Sequence, residues 1–203
     1  LKKKYKLNNI KSFIIFTIHP LSNDLHQTKL EVNNSFKAIL KLSQKYMVII
    51  TYPNNDYGSD YIIKKINQIS KLNYRNIIIV KNLGGKDYFG FLNFSNIQDL
   101  RSVCVGNSSS GIKEAKSFNC PTVNIGNRQK GRMKTKSVID CKPVTLEIVN
   151  KCIFTLENIN FRNSIKKIPN PYYMPNSSFK IVNLILNKKY NLKKLLLKKI
   201  KIK

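Results

Sequence analysis

The sequence predicts an α/β fold: a doubly wound, six-stranded parallel sheet with helices on both faces. Three observations predict it. Six short apolar runs recur along the chain, and the longest of them, FIIFTI and YMVIITY, are continuous rather than alternating, as in strands buried on both faces. Segments with helical spacing separate the runs. Nearly all the glycines fall in loops that directly follow strands. At 203 residues, 42% hydrophobic and 23% charged, the chain can bury one core, and one folded domain is expected.

In order, residues 1–10 are a basic lead-in with little periodicity. Phe13–Ile18 is the first strand, stopped by Pro20. Thr28–Gln44 carries Leu30, Val32, Phe36, Ile39, Leu40 and Leu42 at near-helical spacing. Tyr46–Tyr52 is the second strand and ends in the turn cluster Pro53–Ser59. Asp60–Leu72 is a helix with Ile62, Ile63, Ile66 and Ile69 on one side. Asn76–Val80 is the third strand, Leu83-Gly84-Gly85 turns the chain, and Tyr88–Phe94 is a short aromatic helix. Ser102–Val105, Pro121–Ile125 and Ser137–Asp140 complete the sheet. Thr145–Leu156 and Ser177–Leu186 are helices, with Ser177 or Ser178 as N-cap for the second. Residues 188–203 form a basic, amphipathic helical tail, read as a solvated segment rather than a membrane-surface helix. The sheet domain proper spans 11–187.

A net charge of +27 invites a nucleic-acid reading. However, only Arg75, Arg101, Arg128, Arg132 and Arg162 among the 37 basic residues are arginines. Lys, Asn and Ile share AT-rich codons, so base composition accounts for the lysine excess. Neither nucleic acid nor membrane is expected as a partner. No apolar run approaches the roughly 20 residues of a membrane span, and the Phe13–Ile18 run is too short for a secretory signal. The chain begins with Leu rather than Met and reads as part of something longer. Cys104, Cys120, Cys141 and Cys152 form no CxxC pair and have no histidine at metal-ligand spacing, so no metal is expected. They read as reduced, buried thiols of a cytoplasmic protein.

In open parallel sheets, ligands bind outside the carboxyl ends of the strands. Here those ends carry His19, Pro53–Ser59, Leu83–Lys86, Gly106–Gly111 and Gly126–Arg132. The segment Gly106-Asn107-Ser108-Ser109-Ser110-Gly111, a small-residue loop between strand and helix, can cradle an anion with backbone N–H groups and hydroxyls. A serine-capped polar turn reads equally well. Glu114, in the first helical turns beyond, can accept both hydroxyls of a vicinal diol such as a ribose. It can also serve only the helix dipole. Arg128 and Arg132 sit close together on the next loop, and guanidinium forks suit a diphosphate. His19 closes the first strand and can donate to a phosphate or act as an acid. Among ten acidic residues, few lie on the rim (Asp56, Asp60, Asp87 and Glu114), and none forms an acid/base pair.

The stretches Gly106–Ala115 (GNSSSGIKEA) and Pro121–Arg132 (PTVNIGNRQKGR) resemble the hydrolysing UDP-N-acetylglucosamine 2-epimerases. So do Thr17-Ile18-His19-Pro20, the Pro53–Ser59 turn and Asn170-Pro171-Tyr172. The resemblance runs from about Phe13 to Ile185 and is similar to the C-terminal domain only. It implies one Rossmann-like half of a glycosyltransferase-B-type fold. It further implies that Asn54, Ser108, Ser109, Gly111, Glu114 and Arg128 bind UDP, with Arg132 a further candidate. His19 is implied at the diphosphate and sugar as the catalytic candidate, and no cofactor is implied. The implied reaction eliminates UDP across carbons 1 and 2 of the sugar and hydrates the glycal with inversion at carbon 2. The product would be N-acetylmannosamine or a related sugar for sialic-acid-type biosynthesis. The expected partners are a UDP-sugar and the missing N-terminal Rossmann-like domain, which holds most of the proton-moving carboxylates. A homo-oligomer is left open. The competing readings are half of a UDP-sugar glycosyltransferase and a non-catalytic nucleotide-binding remnant. For the isolated chain, no turnover is expected.

Overall fold

The computed structural model describes residues 1–187. Its strands are β1 (Ser12–Thr17), β2 (Met47–Thr51), β3 (Ile77–Val80), β4 (Arg101–Gly106), β5 (Thr122–Ile125) and β6 (Val138–Cys141). They form one parallel sheet in the order β3-β2-β1-β4-β5-β6. The chain starts in the middle, winds outward through β2 and β3, then crosses back to lay β4 beside β1. Register pairs Ile14 with both Val48 and Val103, and Thr17 with Gly106. The switch point is therefore the β1/β4 junction, where the loops leaving the two strands diverge and open a crevice.

The continuous apolar runs behave as two-faced strands, because successive side chains point to opposite faces. Ile14, Phe16, Val48, Ile50, Val103 and Val105 join one core layer, whereas Phe13, Ile15, Met47, Ile49 and Cys104 join the other. Full burial of such side chains stabilises by about 1.5–3 kcal/mol each relative to exposure.

The first layer is closed by three amphipathic helices. In α1 (Leu25–Leu42), Val32, Phe36 and Ile39 share the buried face, and the Asp24 carboxylate caps the start by accepting from Gln27 N–H at 2.8 Å. In α2 (Ser59–Ser70) the buried set is Ile62, Ile66 and Ile69. In α5 (Thr145–Glu157), counted after the helices α3 (Gly84–Asn93) and α4 (Ser110–Lys113), it is Ile148, Cys152 and Leu156.

The second layer has less helix over it. Phe91 and Leu92 of α3 cover part, and Leu7 from the basic lead-in is buried beside them. Lys4 and Tyr5 both reach the Asp87 carboxylate, at 2.6 and 2.8 Å. Asp87, expected on the ligand rim, is thus a clasp for the lead-in. All four cysteines are free and buried, Cys104 and Cys120 in the second layer, Cys141 and Cys152 in the first.

Three local expectations need correction. The helix after β3 begins at Gly84 rather than Tyr88. The glycine pair is its first turn, entered through Gly84 at φ +65° with Asn82 Oδ1 accepting from Gly84 N–H. A further helix, α6 (Ile159–Lys166), was not foreseen. Asn158 caps it by accepting from Phe161 N–H at 2.8 Å, and Arg162 anchors it by donating to the carbonyls of Ser102 and Thr155. Ser177 and Ser178 lie inside α7 (Ser177–Asn187), which is preceded by Asn176 in the left-handed conformation.

The chain divides into two units, residues 1–172 and 173–203. In the second, the described structure is α7, and the tail expected at 188–203 lies outside the described residues. Among the described residues no helix is long and apolar enough to cross a membrane.

Candidate functional site

The site starts from a contact that only glycine permits. At the end of β4, Gly106 adopts φ +129°, and a Cβ there would lie 1.8 Å from the Thr17 carbonyl oxygen of β1. The close approach lets Asn107 N–H donate to that same oxygen at 3.3 Å. The Asn107 side chain is then driven inward and has no exposed surface. Its Oδ1 accepts from His19 N–H at 2.7 Å, and its amide donates to the His19 carbonyl at 2.9 Å. Both main-chain groups of the residue leaving β1 are thus satisfied by one side chain from β4.

His19 is 6% exposed, and its Nδ1 accepts from Asn54 N–H at 3.1 Å. An accepting Nδ1 places the ring proton on Nε2. Burial, and then the nearby Arg128 charge, push its pKa down to about 4 against the weaker opposing pull of Asp56. At neutral pH the ring is therefore an uncharged Nε2–H donor. The loop that supplies Asn54 N–H is itself fixed. Ser59 Oγ donates to the carbonyls of Asn54 and Asp56, and Gly58 turns at φ +94° against Leu25 and Pro20.

The serine turn is held from below. Ser110 Oγ donates to the Tyr88 hydroxyl of α3 at 2.6 Å, and Ser110 N–H donates to Ser108 Oγ at 3.4 Å. Ser108 and Ser109 are half-buried. Gly111 is buried under the turn, where a Cβ would meet Thr122 Cγ2 at 2.7 Å, and its carbonyl accepts from Thr122 Oγ1. Helix α4 lasts one turn, so Glu114 closes it rather than riding on a long helix. Its N–H donates to the Ser110 carbonyl, and the residue is exposed.

The loop after β5 returns to the same centre. Arg128 Nη1 donates to the Asn107 carbonyl at 3.2 Å, and Gln129 Nε2 donates to it at 2.8 Å. Arg128 Nη2 also stands 3.6 Å from the Asp56 carboxylate. Arg132 is exposed, and its charge acts on Arg128.

Two adjoining hollows result. One, of about 450 Å³, is lined by His19, Asn54, Lys81, Tyr88, Ser108 and Ser110 among others, with no Asp or Glu in its wall. The other, of about 630 Å³, contains Arg128, Asp56, Asn127 and Glu31. His19, Asn54 and Ser108 thus share a cleft, and Arg128 stands beside it, joined to His19 through Asn107. Glu114 and Arg132 line neither hollow. Sequence reasoning assigned no role to Asn107, Gln129, Lys81 or Tyr88. The available signals were an Asn set between Gly106 and three serines, and a Lys placed directly after β3. Among the described residues no group of three or more His, Cys, Asp or Glu side chains could hold a metal ion.

The geometry has counterparts. A polysialic acid biosynthesis protein P7 from Escherichia coli is 28% identical over 177 residues, which cover 87% of this chain and 43% of that protein. A GDP/UDP-N,N'-diacetylbacillosamine 2-epimerase (hydrolyzing) from Campylobacter jejuni is 30% identical over 140 residues, covering 69% of this chain and 35% of that protein. Among solved structures, S. aureus MnaA with UDP superposes with a TM-score of 0.65 at 16% identity. The match takes in 98% of this chain and 48% of the other. The UDP-GlcNAc 2-epimerase of Neisseria meningitidis bound to UDP-GlcNAc gives 0.59 at 15% identity, with 92% and 47% covered. At that identity the structures speak for the fold alone, one half of the two-domain architecture expected from the sequence. The chain thus spans less than half the length of these relatives. The family model for UDP-N-acetylglucosamine 2-epimerase matches residues 1–186, and the chain belongs to that family.

Proposed function

We propose that this chain is the UDP-holding half of a hydrolysing UDP-N-acetylglucosamine 2-epimerase. The observation that carries the reading is the wiring of His19 and Arg128 to Asn107 at the switch point. It sets an uncharged imidazole donor and a guanidinium on one rim, beside a cleft whose wall holds Lys81 and serine hydroxyls but no carboxylate. Such a wall suits a diphosphate. Elimination breaks the bond from sugar carbon 1 to the UDP oxygen as the carbon 2 proton leaves, and negative charge grows on the departing diphosphate. Donors already aimed at that charge stabilise it without reorganisation. A hydrogen bond to a charged group contributes about 1.5–3 kcal/mol. In this reading His19 Nε2–H and Arg128 take the diphosphate, while Ser108, Ser109 and Asn54 line the nucleotide path. Glu114 reaches the ribose, and Arg132 stands ready outside.

The carboxylates that move protons belong, in this reading, to the N-terminal half. Several features support the UDP-holding role: the family match over residues 1–186, the hydrolysing 2-epimerases among the relatives, and relatives solved with UDP and UDP-GlcNAc. Production of N-acetylmannosamine or a diacetylated relative for sialic-acid-type biosynthesis fits the E. coli relative's name. A cytoplasmic location fits four free buried thiols. Calorimetry on the isolated chain is expected to show UDP binding, and a coupled assay is expected to show no release of sugar from UDP-N-acetylglucosamine. Absence of UDP binding would remove the assignment. Turnover by the chain alone would contradict the division of labour.

A further inference from the structure

We propose that Asn107 is a positioning residue that makes His19 and Arg128 a single anion-gripping unit. This rests on the diphosphate reading above. Asn107 is fully buried, and its N–H, its carbonyl and both ends of its side-chain amide all have partners. Its side-chain amide holds the His19 main chain at both ends, at 2.7 and 2.9 Å. Its N–H takes the Thr17 carbonyl, and its own carbonyl accepts from both Arg128 and Gln129. Gln129 serves this purpose as a strut. It is 1% exposed, spends its amide on the Asn107 carbonyl, and leaves Oε1 without a partner among the described residues.

Three strand ends, β1, β4 and β5, therefore converge on one residue. Displacing Asn107 moves the imidazole and the guanidinium together. The Asn54 N–H bond to Nδ1 depends on the same anchorage, since it requires the His19 ring to stand in one place. Asn107 does not itself need to touch a ligand. It acts through the two side chains that do.

The test uses the chain carrying His26→Asn, so that His19 is the remaining imidazole, with UDP and inorganic pyrophosphate as probes. Long-range proton–nitrogen NMR is expected to show the Nε2–H tautomer in this background. In Asn107→Ala, the tautomer should become mixed and the ring should titrate closer to an ordinary histidine. UDP affinity should fall at least tenfold. Adding His19→Ala to Asn107→Ala should cost little beyond the larger single loss, because both remove the same grip. Asn107→Asp, nearly isosteric, keeps the acceptor for His19 N–H but loses the donor to the His19 carbonyl, and its fold is checked by circular dichroism. A folded Asn107→Asp protein should also show a raised His19 pKa and weakened pyrophosphate binding.

Fully additive losses of affinity would overturn the proposal. So would an Asn107→Ala protein that melts earlier yet keeps the tautomer, the titration and the UDP affinity. If the His26→Asn parent binds neither probe, the diphosphate reading fails. The tautomer and titration shifts still decide whether Asn107 positions His19.

Discussion

The β1/β4 junction and the Glu114/Arg132 side of the rim both carry polar residues, but in different states. At the junction, His19, Asn107 and Gln129 are buried, and their hydrogen bonds are shared with one another and with three strand ends. On the other side, Glu114 closes a one-turn helix, Arg132 lies midway along the loop between β5 and β6, and both are exposed. On the proposed reading, the difference teaches that the diphosphate grip is built into the fold, whereas the ribose grip is a single exposed side chain. Changes at the first should disturb folding and binding together, and changes at the second should disturb binding alone.

The most damaging way to break this contrast is Gly106→Ala. It forces a side chain into positive φ and drives Cβ into the Thr17 carbonyl. Denaturant unfolding is expected to show a loss on the order of 3–5 kcal/mol. A loss below about 1 kcal/mol would mean that the junction yields easily, and the claim of a rigid grip would fail.

Next in size is the pH dependence of His19. Its folded pKa of about 4 lies below the ordinary value of 6.5, so the unfolded chain binds the extra proton first as pH falls. The neutral buried ring contributes stability that is fully present above pH 6.5 and is lost as pH falls through about 4. The size is on the order of 2–3 kcal/mol. Measuring unfolding free energy from pH 7.5 to 4 for the parent and for His19→Gln isolates this part. Parallel curves would show that His19 is not held neutral by the fold.

The smallest effects sharpen the division by ligand. Glu114→Ala should weaken UDP and uridine by roughly 1–3 kcal/mol while leaving pyrophosphate and folding stability within about 0.5 kcal/mol of the parent. Arg128→Ala should instead weaken UDP and pyrophosphate alike. Equal losses of pyrophosphate in both variants would erase the proposed separation of ribose and phosphate contacts.

The central strands β1, β2 and β4 were legible because both of their faces are buried, which turns them into apolar runs such as FIIFTI. The rim was legible because glycine and small polar residues mark strand ends. Helix α6 escaped because its boundary with α5 is a single Asn158, without a glycine or proline to mark it. Gly84 and Gly85 misled because glycine usually ends helices, whereas here a positive φ begins one. His19, Asn54 and Ser108 were found as residues at strand ends. Asn107 lay inside the stretch singled out, but nothing local separates a buried asparagine from a solvated one in a turn. Its burial is decided by the residues at the end of β1 and by the loop after β5, both outside the turn itself. Lys81 was hidden by the lysine excess itself.

The cysteines give the molecule an internal reporter. Two sit in each core layer; Cys104, Cys120 and Cys152 lie inside, whereas Cys141 borders a surface hollow beside Gly126, and burial raises the pKa of Cys104 and Cys141 to about 12. A thiol-specific dye can therefore reach Cys104, Cys120 and Cys152 only when a layer opens. Mass mapping of the labelled sites distinguishes which side of the sheet has parted. Cys104 and Cys120 report the side closed in part by the lead-in, and Cys152 reports the side closed by three helices. Labelling rates with and without UDP would then register how far ligand at the rim quiets breathing in each layer.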